Sequence, residues 1–152
     1  MKKIFLIVVG KNKTDALKKE EDNYLKRVKS FKLETIELKH FDSKEKNDDQ
    51  VIQKIKNISG NQTPKVILLE ESGELQTSTK FSKEVFGFLE NSSSPVIFVI
   101  GGAEGHGDEI KKFTRHHLSL SKMTLPHRFA RLVLIEQLYR AETINAGHPY
   151  HK

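Results

Sequence analysis

The stretch Val96-Ile97-Phe98-Val99-Ile100-Gly101-Gly102-Ala103-Glu104-Gly105 decides the fold. Its apolar half is continuous, which is typical of a strand buried on both faces in the middle of a parallel sheet. The glycines that follow at once let backbone amides approach a ligand without an intervening Cβ. A plain strand-to-helix turn that needs a positive φ explains the same glycines equally well, so the stretch alone leaves both interpretations open.

Short apolar segments alternate with longer charged segments along the rest of the chain. The apolar segments predict strands at residues 4–9, 33–38, 65–69, 96–100 and 118–120. The segments between and after them predict helices at residues 15–28, 48–58, 79–89, 108–115 and 128–143. This alternation predicts an α/β fold, with a parallel sheet that carries helices on both faces, in one domain over residues 1–152.

Length and composition limit the class of protein. A chain of 152 residues with 36% hydrophobic residues can bury one modest core. It lacks an apolar run of about 18 residues and the pattern of a signal peptide, so we expect a cytoplasmic protein with no membrane partner. Because the sequence contains no cysteine, disulfides, thiolate metal sites and cysteine nucleophiles are excluded.

Charge is unevenly distributed along the sequence. Basic and acidic residues number 15 and 10 in residues 1–60, 3 and 8 in residues 61–110, and 8 and 2 in residues 111–152. The last segment also carries five of the seven histidines. Lysine and arginine release counterions when they bind a phosphate backbone, so this segment predicts a nucleic-acid partner. For residues 1–60 an ordinary solvated surface is the better interpretation.

The last predicted helix is apolar on nearly all sides. Since a sheet covers only one face of a helix, we expect a second subunit to cover another, most simply in a homodimer. Arg128, Arg131 and Arg140 project from this helix. They are explained either by surface exposure of their charged ends or by contact with a phosphate or a cofactor carboxylate.

Several site chemistries are disfavoured by spacing. The loops after Leu69, Ile100 and Leu120 are where a parallel sheet would bind a ligand, but no Walker motif or complete dinucleotide fingerprint occurs there. His116-His117 and His148-x-x-His151 lack metal-site spacing, and no metal is expected. Glu70-Glu71 is explained as a solvated loop.

Four motifs together are similar to the bacterial ribosomal RNA large-subunit methyltransferase H family. They are Val99-Ile100-Gly101-Gly102-Ala103-Glu104-Gly105, Leu120-Ser121-Lys122-Met123-Thr124-Leu125-Pro126-His127, Leu134-Ile135-Glu136-Gln137-Leu138-Tyr139-Arg140-Ala141 and His148-Pro149-Tyr150-His151-Lys152. Their order and spacing extend the resemblance over the whole chain.

The resemblance implies a SPOUT-type α/β fold with a C-terminal trefoil knot, a homodimer, and S-adenosylmethionine bound in the knot. It implies methylation of N3 of a pseudouridine in large-subunit (23S) ribosomal RNA, with the assembled ribosome as substrate. The positions that match the family's cofactor site are Leu69, Gly101, Leu120, Ser121, Lys122, Met123, Thr124 and Leu125.

The C-terminal segment provides the candidates for catalysis. His148, Tyr150 and His151 are interpreted as bases or as groups that orient the base, and Arg140 as a group that stabilises the developing anion. Tyr150 is alternatively a stacking partner for a nucleobase, and the whole segment is alternatively an ordered tail without a catalytic role. A non-catalytic RNA-binding module, or a methyltransferase for another RNA or a small molecule, remains the alternative function.

Overall fold

The computed structural model describes residues 2–11, 15–91 and 93–152. The five strands are β1 (Lys2–Val9), β2 (Phe31–Leu38), β3 (Lys65–Leu75), β4 (Val96–Ile100) and β5 (His116–Ser119). The five helices are α1 (Asp15–Leu25), α2 (Lys44–Ser59), α3 (Ser78–Glu90), α4 (Asp108–Phe113) and α5 (His127–Asn145). Within these ranges no helix is both long and apolar enough to cross a membrane.

The strands form one parallel sheet in the order β2-β1-β4-β3-β5. Strand β4 pairs with β1 on one side and β3 on the other, and every one of its side chains is buried. The predicted parallel α/β fold and the central position of residues 96–100 are thus confirmed. The trefoil knot, which concerns how the last segments thread past one another, stays a prediction.

Helices cover both faces of the sheet. On one face α5 packs against α1 and α3, and its Leu134, Ile135 and Leu138 join the larger apolar core. On the other face Ile55 of α2 and Ile110 of α4 join a second, smaller core. The two cores explain why β1, β4 and residues 66–69 of β3 are continuously apolar rather than alternating.

Strand β3 is longer than predicted, and the predicted loop at Glu70-Glu71 is wrong. Its register against β5 shifts between Leu69 and Glu74, so residues 70–73 form a bulge inside the strand. Gly73 lies so close to β5 that a Cβ there would be 2.6 Å from the carbonyl carbon of His117. Glycine is therefore required where the two backbones approach each other.

The two adjacent histidines also differ from the prediction. Helix α4 was predicted to end at residue 115 and ends at Phe113, and strand β5 was predicted at residues 118–120 and begins at His116. Successive strand side chains face opposite ways. His116 accordingly packs edge-on against the ring of Phe88, whereas His117 Nδ1 contacts the carboxylate of Glu70. Both histidines are partly buried and have partners within the chain.

A side chain from α2 caps the start of α4. The buried Asp48 carboxylate accepts hydrogen bonds from the backbone N–H of Gly107 at 3.0 Å and of Ile110 at 3.2 Å. These amides belong to a helix start, where backbone donors have no partner within the helix. Asp48 lies near the start of α2, so it joins the end of the glycine turn to that part of α2.

We expect Asp48→Ala to lower the free energy of unfolding by about 1–3 kcal/mol, because it removes the acceptor of two buried amides. Asp48→Asn keeps one acceptor oxygen and should cost less. Asp49→Ala, which truncates an exposed neighbour on the same helix, is the matched control. Urea unfolding measures all three, and equal stability of Asp48→Ala and Asp49→Ala would contradict the capping role.

Candidate functional site

The middle of β3 and the carboxyl ends of β4 and β5 open into one cavity of about 590 Å³. Its wall is formed by residues 69–71 of β3, by residues 100–106 that end β4 and form the glycine turn, and by the segment after β5. The loops that the sequence singled out after Ile100 and Leu120 therefore meet at one place, and the residues after Leu69 join them from within β3. A volume of this size suits a small ligand or cofactor.

Most of the positions that match the family's cofactor site lie on this wall. Those that line the cavity are Leu69, Gly101, Leu120, Ser121, Met123, Thr124 and Leu125. Lys122 is exposed and lies outside the lining set. Met123 is 77% exposed, so its side chain stands at the rim of the cavity.

The sequence left open whether the glycines of the turn serve a positive φ or the approach of a ligand to the backbone amides. Gly105 has a φ of +79°, and its N–H donates to the carbonyl of Gly102 at 2.9 Å, which is a turn requirement. Gly101 and Gly102 instead meet close neighbours. A Cβ on Gly101 would be 3.1 Å from the carbonyl carbon of Gly105, and one on Gly102 would be 2.7 Å from His40 Cδ2. The requirement for a turn is thus confirmed at Gly105, and close packing within the protein explains Gly101 and Gly102, whereas the approach of a ligand to the backbone amides stays a prediction.

An ion pair joins the glycine turn to the loop after β2. His40 Nε2 lies 2.7 Å from Glu104 Oε2, and this hydrogen bond lowers the pKa of the Glu104 carboxyl group. Glu104 also lines the cavity together with Glu70 and Glu71. The cavity wall therefore carries three carboxylates and the ammonium groups of Lys44 and Lys111, and Lys111 Nζ lies 4.0 Å from Glu70 Oε1.

His106 is a cavity residue that sequence reasoning missed. Its side chain is buried, and Nε2 lies 3.0 Å from the carbonyl oxygen of Leu69. Burial lowers the pKa of the imidazole. In the sequence, His106 stands between Gly105 and Gly107, in a pattern that is not a complete dinucleotide fingerprint. Its position directly after the glycine turn was the signal that could have identified it as a cavity residue.

A hydrogen-bonded cluster holds the C-terminal segment against α5. Glu136 Oε1 accepts from Arg140 Nε at 2.8 Å and from the Tyr150 hydroxyl at 3.2 Å. Arg140 Nη1 lies 3.0 Å from His151 Nδ1, and the guanidinium stands 4.9 Å from the centre of the Tyr150 ring. Glu136 was not predicted, although its spacing of four residues from Arg140 on a helix is a signal for such a pair.

The hydrogen bonds of the cluster determine which ring nitrogen of each histidine carries the proton. A guanidinium only donates, so His151 Nδ1 accepts and the proton of the neutral ring is on Nε2. His148 Nδ1 likewise accepts, from the backbone N–H of Tyr150 at 3.2 Å. Burial raises the pKa of Tyr150, which keeps its hydroxyl protonated. The two histidines therefore present Nε2–H donors and have no free basic nitrogen at Nδ1, while the Tyr150 hydroxyl donates to Glu136.

The two sets of predicted site residues lie apart in one chain. Arg140, His148, Tyr150 and His151 form one cluster, but none of them is among the residues that line the cavity. The structure of a single chain thus brings together the predicted cofactor positions and, separately, the predicted catalytic positions. A joint site needs a second chain or a movement of the segment.

Arg131 is not available for ligand contact, which corrects both interpretations of this arginine. Its side chain is 9% exposed, and it contacts Glu21 of α1 and Glu37 of β2 at 3.0 and 2.6 Å. Burial raises the pKa of Glu21, and the attraction of Arg131 opposes that rise. Arg131 therefore joins α5 to α1 and to the edge of the sheet.

We expect Arg131→Ala to lower the free energy of unfolding at pH 7 by about 3 kcal/mol, because two carboxylates lose their guanidinium. The pKa of Glu21 is raised in the folded state, so the neutral acid is the form that folding favours. The loss should therefore shrink as the pH falls below the raised pKa of Glu21 and toward the ordinary value of 4.5. Arg128→Ala on the same helix is the control. A loss that grows on acidification would contradict this assignment.

Comparisons with known proteins agree over nearly the whole chain. Residues 2–151 match the family described as "Predicted SPOUT methyltransferase". The chain is 38% identical to ribosomal RNA large subunit methyltransferase H of Bacillus cytotoxicus, with 98% of this chain and 99% of the relative covered. It is also 38% identical to the protein of the same name from Oleidesulfovibrio alaskensis, with 99% of both covered. The corresponding protein of Latilactobacillus sakei is 37% identical.

Proposed function

The chain belongs to the SPOUT methyltransferase family, grouping with the ribosomal RNA large subunit methyltransferase H proteins, and we propose that it methylates large-subunit ribosomal RNA. The methyl acceptor is N3 of a pseudouridine in 23S ribosomal RNA, and the substrate is the assembled ribosome in the cytoplasm. The observation that carries the proposal is the near-full-length similarity to relatives of that name.

The cavity fits S-adenosylmethionine in size, polarity and charge. Leu69, Leu120 and Leu125 offer an apolar surface for adenine, and the glycine turn offers backbone polar groups without intervening Cβ atoms. Glu71 provides a carboxylate on the wall for the cationic ligand, while Glu70 contacts His117 and Lys111, and Glu104 contacts His40.

The residues that hold the cofactor in this proposal are those already given for the cavity wall, with Lys122 outside it. When bound, S-adenosylmethionine supplies a methyl group on a positively charged sulfur, which transfers by direct displacement. Catalysis then depends chiefly on holding N3 in line with that methyl group. The two loops after β4 and β5, together with residues 69–71 within β3, are fixed on adjacent strands and are suited to such positioning.

The donors of the C-terminal cluster suit the developing charge on the uracil ring. As N3 loses its proton, negative charge spreads to the neighbouring carbonyl oxygens. Arg140, His151 through Nε2–H, and His148 through Nε2–H can donate to those oxygens, which stabilises the anion. The hydrogen bonds to Nδ1 leave neither histidine with a free nitrogen that could accept a proton. They therefore favour a role of the two histidines in orienting the uracil ring over a role as catalytic base. The N3 proton then leaves to water.

A homodimer accounts for the separation of the cluster from the cavity. Phe129 and Val133 are 49% and 36% exposed, and they lie one turn apart on α5. Glu136 and Arg140 continue the same side of the helix at spacings of three and four residues. A partner that packs on Phe129 and Val133 would therefore meet the cluster, so each active site would take its cavity from one protomer and its donors from the other.

We expect the protein to sediment as a dimer at micromolar concentration. Phe129→Asp and Val133→Asp should shift it toward the monomer, because each places a charge in the buried apolar contact. Phe113→Asp on α4, which changes a comparably exposed phenylalanine on the opposite face of the sheet, is the matched control. A monomeric wild-type protein would remove the dimer and the shared active site.

The test of the proposed function is transfer of a labelled methyl group from S-adenosylmethionine to purified ribosomes that lack the modification. Free ribosomal RNA is the parallel substrate, and nucleoside analysis identifies the product. Recovery of 3-methylpseudouridine from ribosomes is the expected result. Cofactor binding without transfer would contradict the substrate, and RNA binding without cofactor binding would favour the non-catalytic RNA-binding module.

In the same assay we expect His148→Ala and His151→Ala to lower kcat by about 10²-fold, the loss for a donor that contacts the anion. Tyr150→Phe should lower kcat less, because the Tyr150 hydroxyl donates to Glu136 within the cluster. Cofactor affinity should stay unchanged, since these residues do not line the cavity of their own chain. Lys56→Ala, an exposed change on α2, is the control. Wild-type turnover in all three tail variants would leave the segment as an ordered tail only.

A further inference from the structure

His106 is a polar group buried in the wall of the cavity. Its Nε2 lies 3.0 Å from the carbonyl oxygen of Leu69, and a carbonyl oxygen can only accept. Nε2 therefore carries a proton, and in the neutral ring Nδ1 is an unprotonated acceptor. The Nδ1 edge faces the glycine turn, since a Cβ built on Gly101 would be 3.2 Å from it.

Charged groups surround His106 on several sides. Glu70 of β3 and Asp48 of α2 raise its pKa, and Lys111 of α4 lowers it. Burial has the largest effect and lowers the pKa below the ordinary value of 6.5. The other titratable groups on the cavity wall are Lys44, Glu71, Glu104 and His127. At neutral pH the ring is therefore uncharged, although one added proton would make it a cation inside the cavity.

The two ligands of a methyl transfer from S-adenosylmethionine differ in charge at one atom. The methyl donor carries a positive sulfonium, whereas S-adenosylhomocysteine, left after transfer, carries a neutral thioether. Their adenosine, amino and carboxylate groups are the same. A cation fixed in the cavity wall would therefore weaken binding of the donor more than binding of the product.

We propose that His106 sets the preference of this cavity between the cationic methyl donor and its neutral product: the neutral imidazole admits the donor, and the imidazolium favours the product. This inference rests on the proposed function and specifies a residue that determines ligand preference within it. His106 acts through its charge and through its fixed Nδ1 acceptor, and it takes no part in the methyl transfer itself.

Linkage gives the proposal a second consequence. If a proton on His106 weakens donor binding, then bound donor must lower the pKa of His106 by the same free energy. Bound product, lacking the sulfonium charge, must lower it less. The pKa of His106 should thus be lower in the donor complex than in the product complex. A purely structural role of the ring would not produce this difference.

Calorimetric titration of the full-length protein with each ligand, from about pH 8 to about pH 5, tests the proposal, because burial lowers the pKa of His106 and the ring gains its proton only at the acid end of this range. The ratio of donor affinity to product affinity should fall by about two-fold or more at that acid end. His106→Leu and His106→Gln should keep the ratio constant. His127→Gln changes another histidine of the wall whose pKa is lowered by burial, and it should retain the fall.

Proton NMR of the His106 ring in wild-type protein gives a test that needs no variant to fold. A lower His106 pKa with donor than with product supports the proposal, and equal values overturn it. Binding of both ligands at a constant ratio at all pH values would also overturn it while leaving the proposed function in place. Failure of both ligands to bind would overturn the proposed function and this inference together.

Discussion

The structure depends on the in-register pairing of β4 between two parallel neighbours. Ile100, the last residue of β4, lies opposite Val8 of β1 and opposite Leu69 of β3. Because both faces of β4 are buried, a slip of one residue would move every side chain of the strand into the opposite core. The register therefore places the glycine turn beside residues 69–71, where the cavity lies.

The sequence predicted those parts of the fold that rest on continuous apolar runs. Strand β4 was predicted to the residue, whereas β3 was predicted to end at Leu69 and continues to Leu75. The missed part contains Glu70, Glu71, Gly73 and Glu74, which carry no apolar pattern. It is a strand because β5 supplies its hydrogen-bonding partner, and such non-local pairing leaves no mark in the local sequence.

The candidate site was predictable in the same uneven way. Matching motifs identified the positions on the cavity wall, but neither His106 nor the role of Glu136 followed from spacing alone. Arg131 and Arg140 are the same residue type on one helix and have different environments. Arg140 pairs with Glu136 within α5, while Arg131 pairs with Glu21 and Glu37 from distant elements. Only the packed structure distinguishes a buried structural arginine from a half-exposed one.

The glycine turn is held by residues from the other half of the chain. His40 contacts Glu104 across 64 positions of sequence, and Asp48 caps the helix that begins after Gly107 across 59. Contacts of such separation form only after long loops have closed, which makes them late and slow in folding. The cavity is thus ordered only when both halves have met. A ligand bound there recognises the completed fold and stabilises all of it. It cannot stabilise a folding intermediate in which the first fifty residues have not yet packed against the rest.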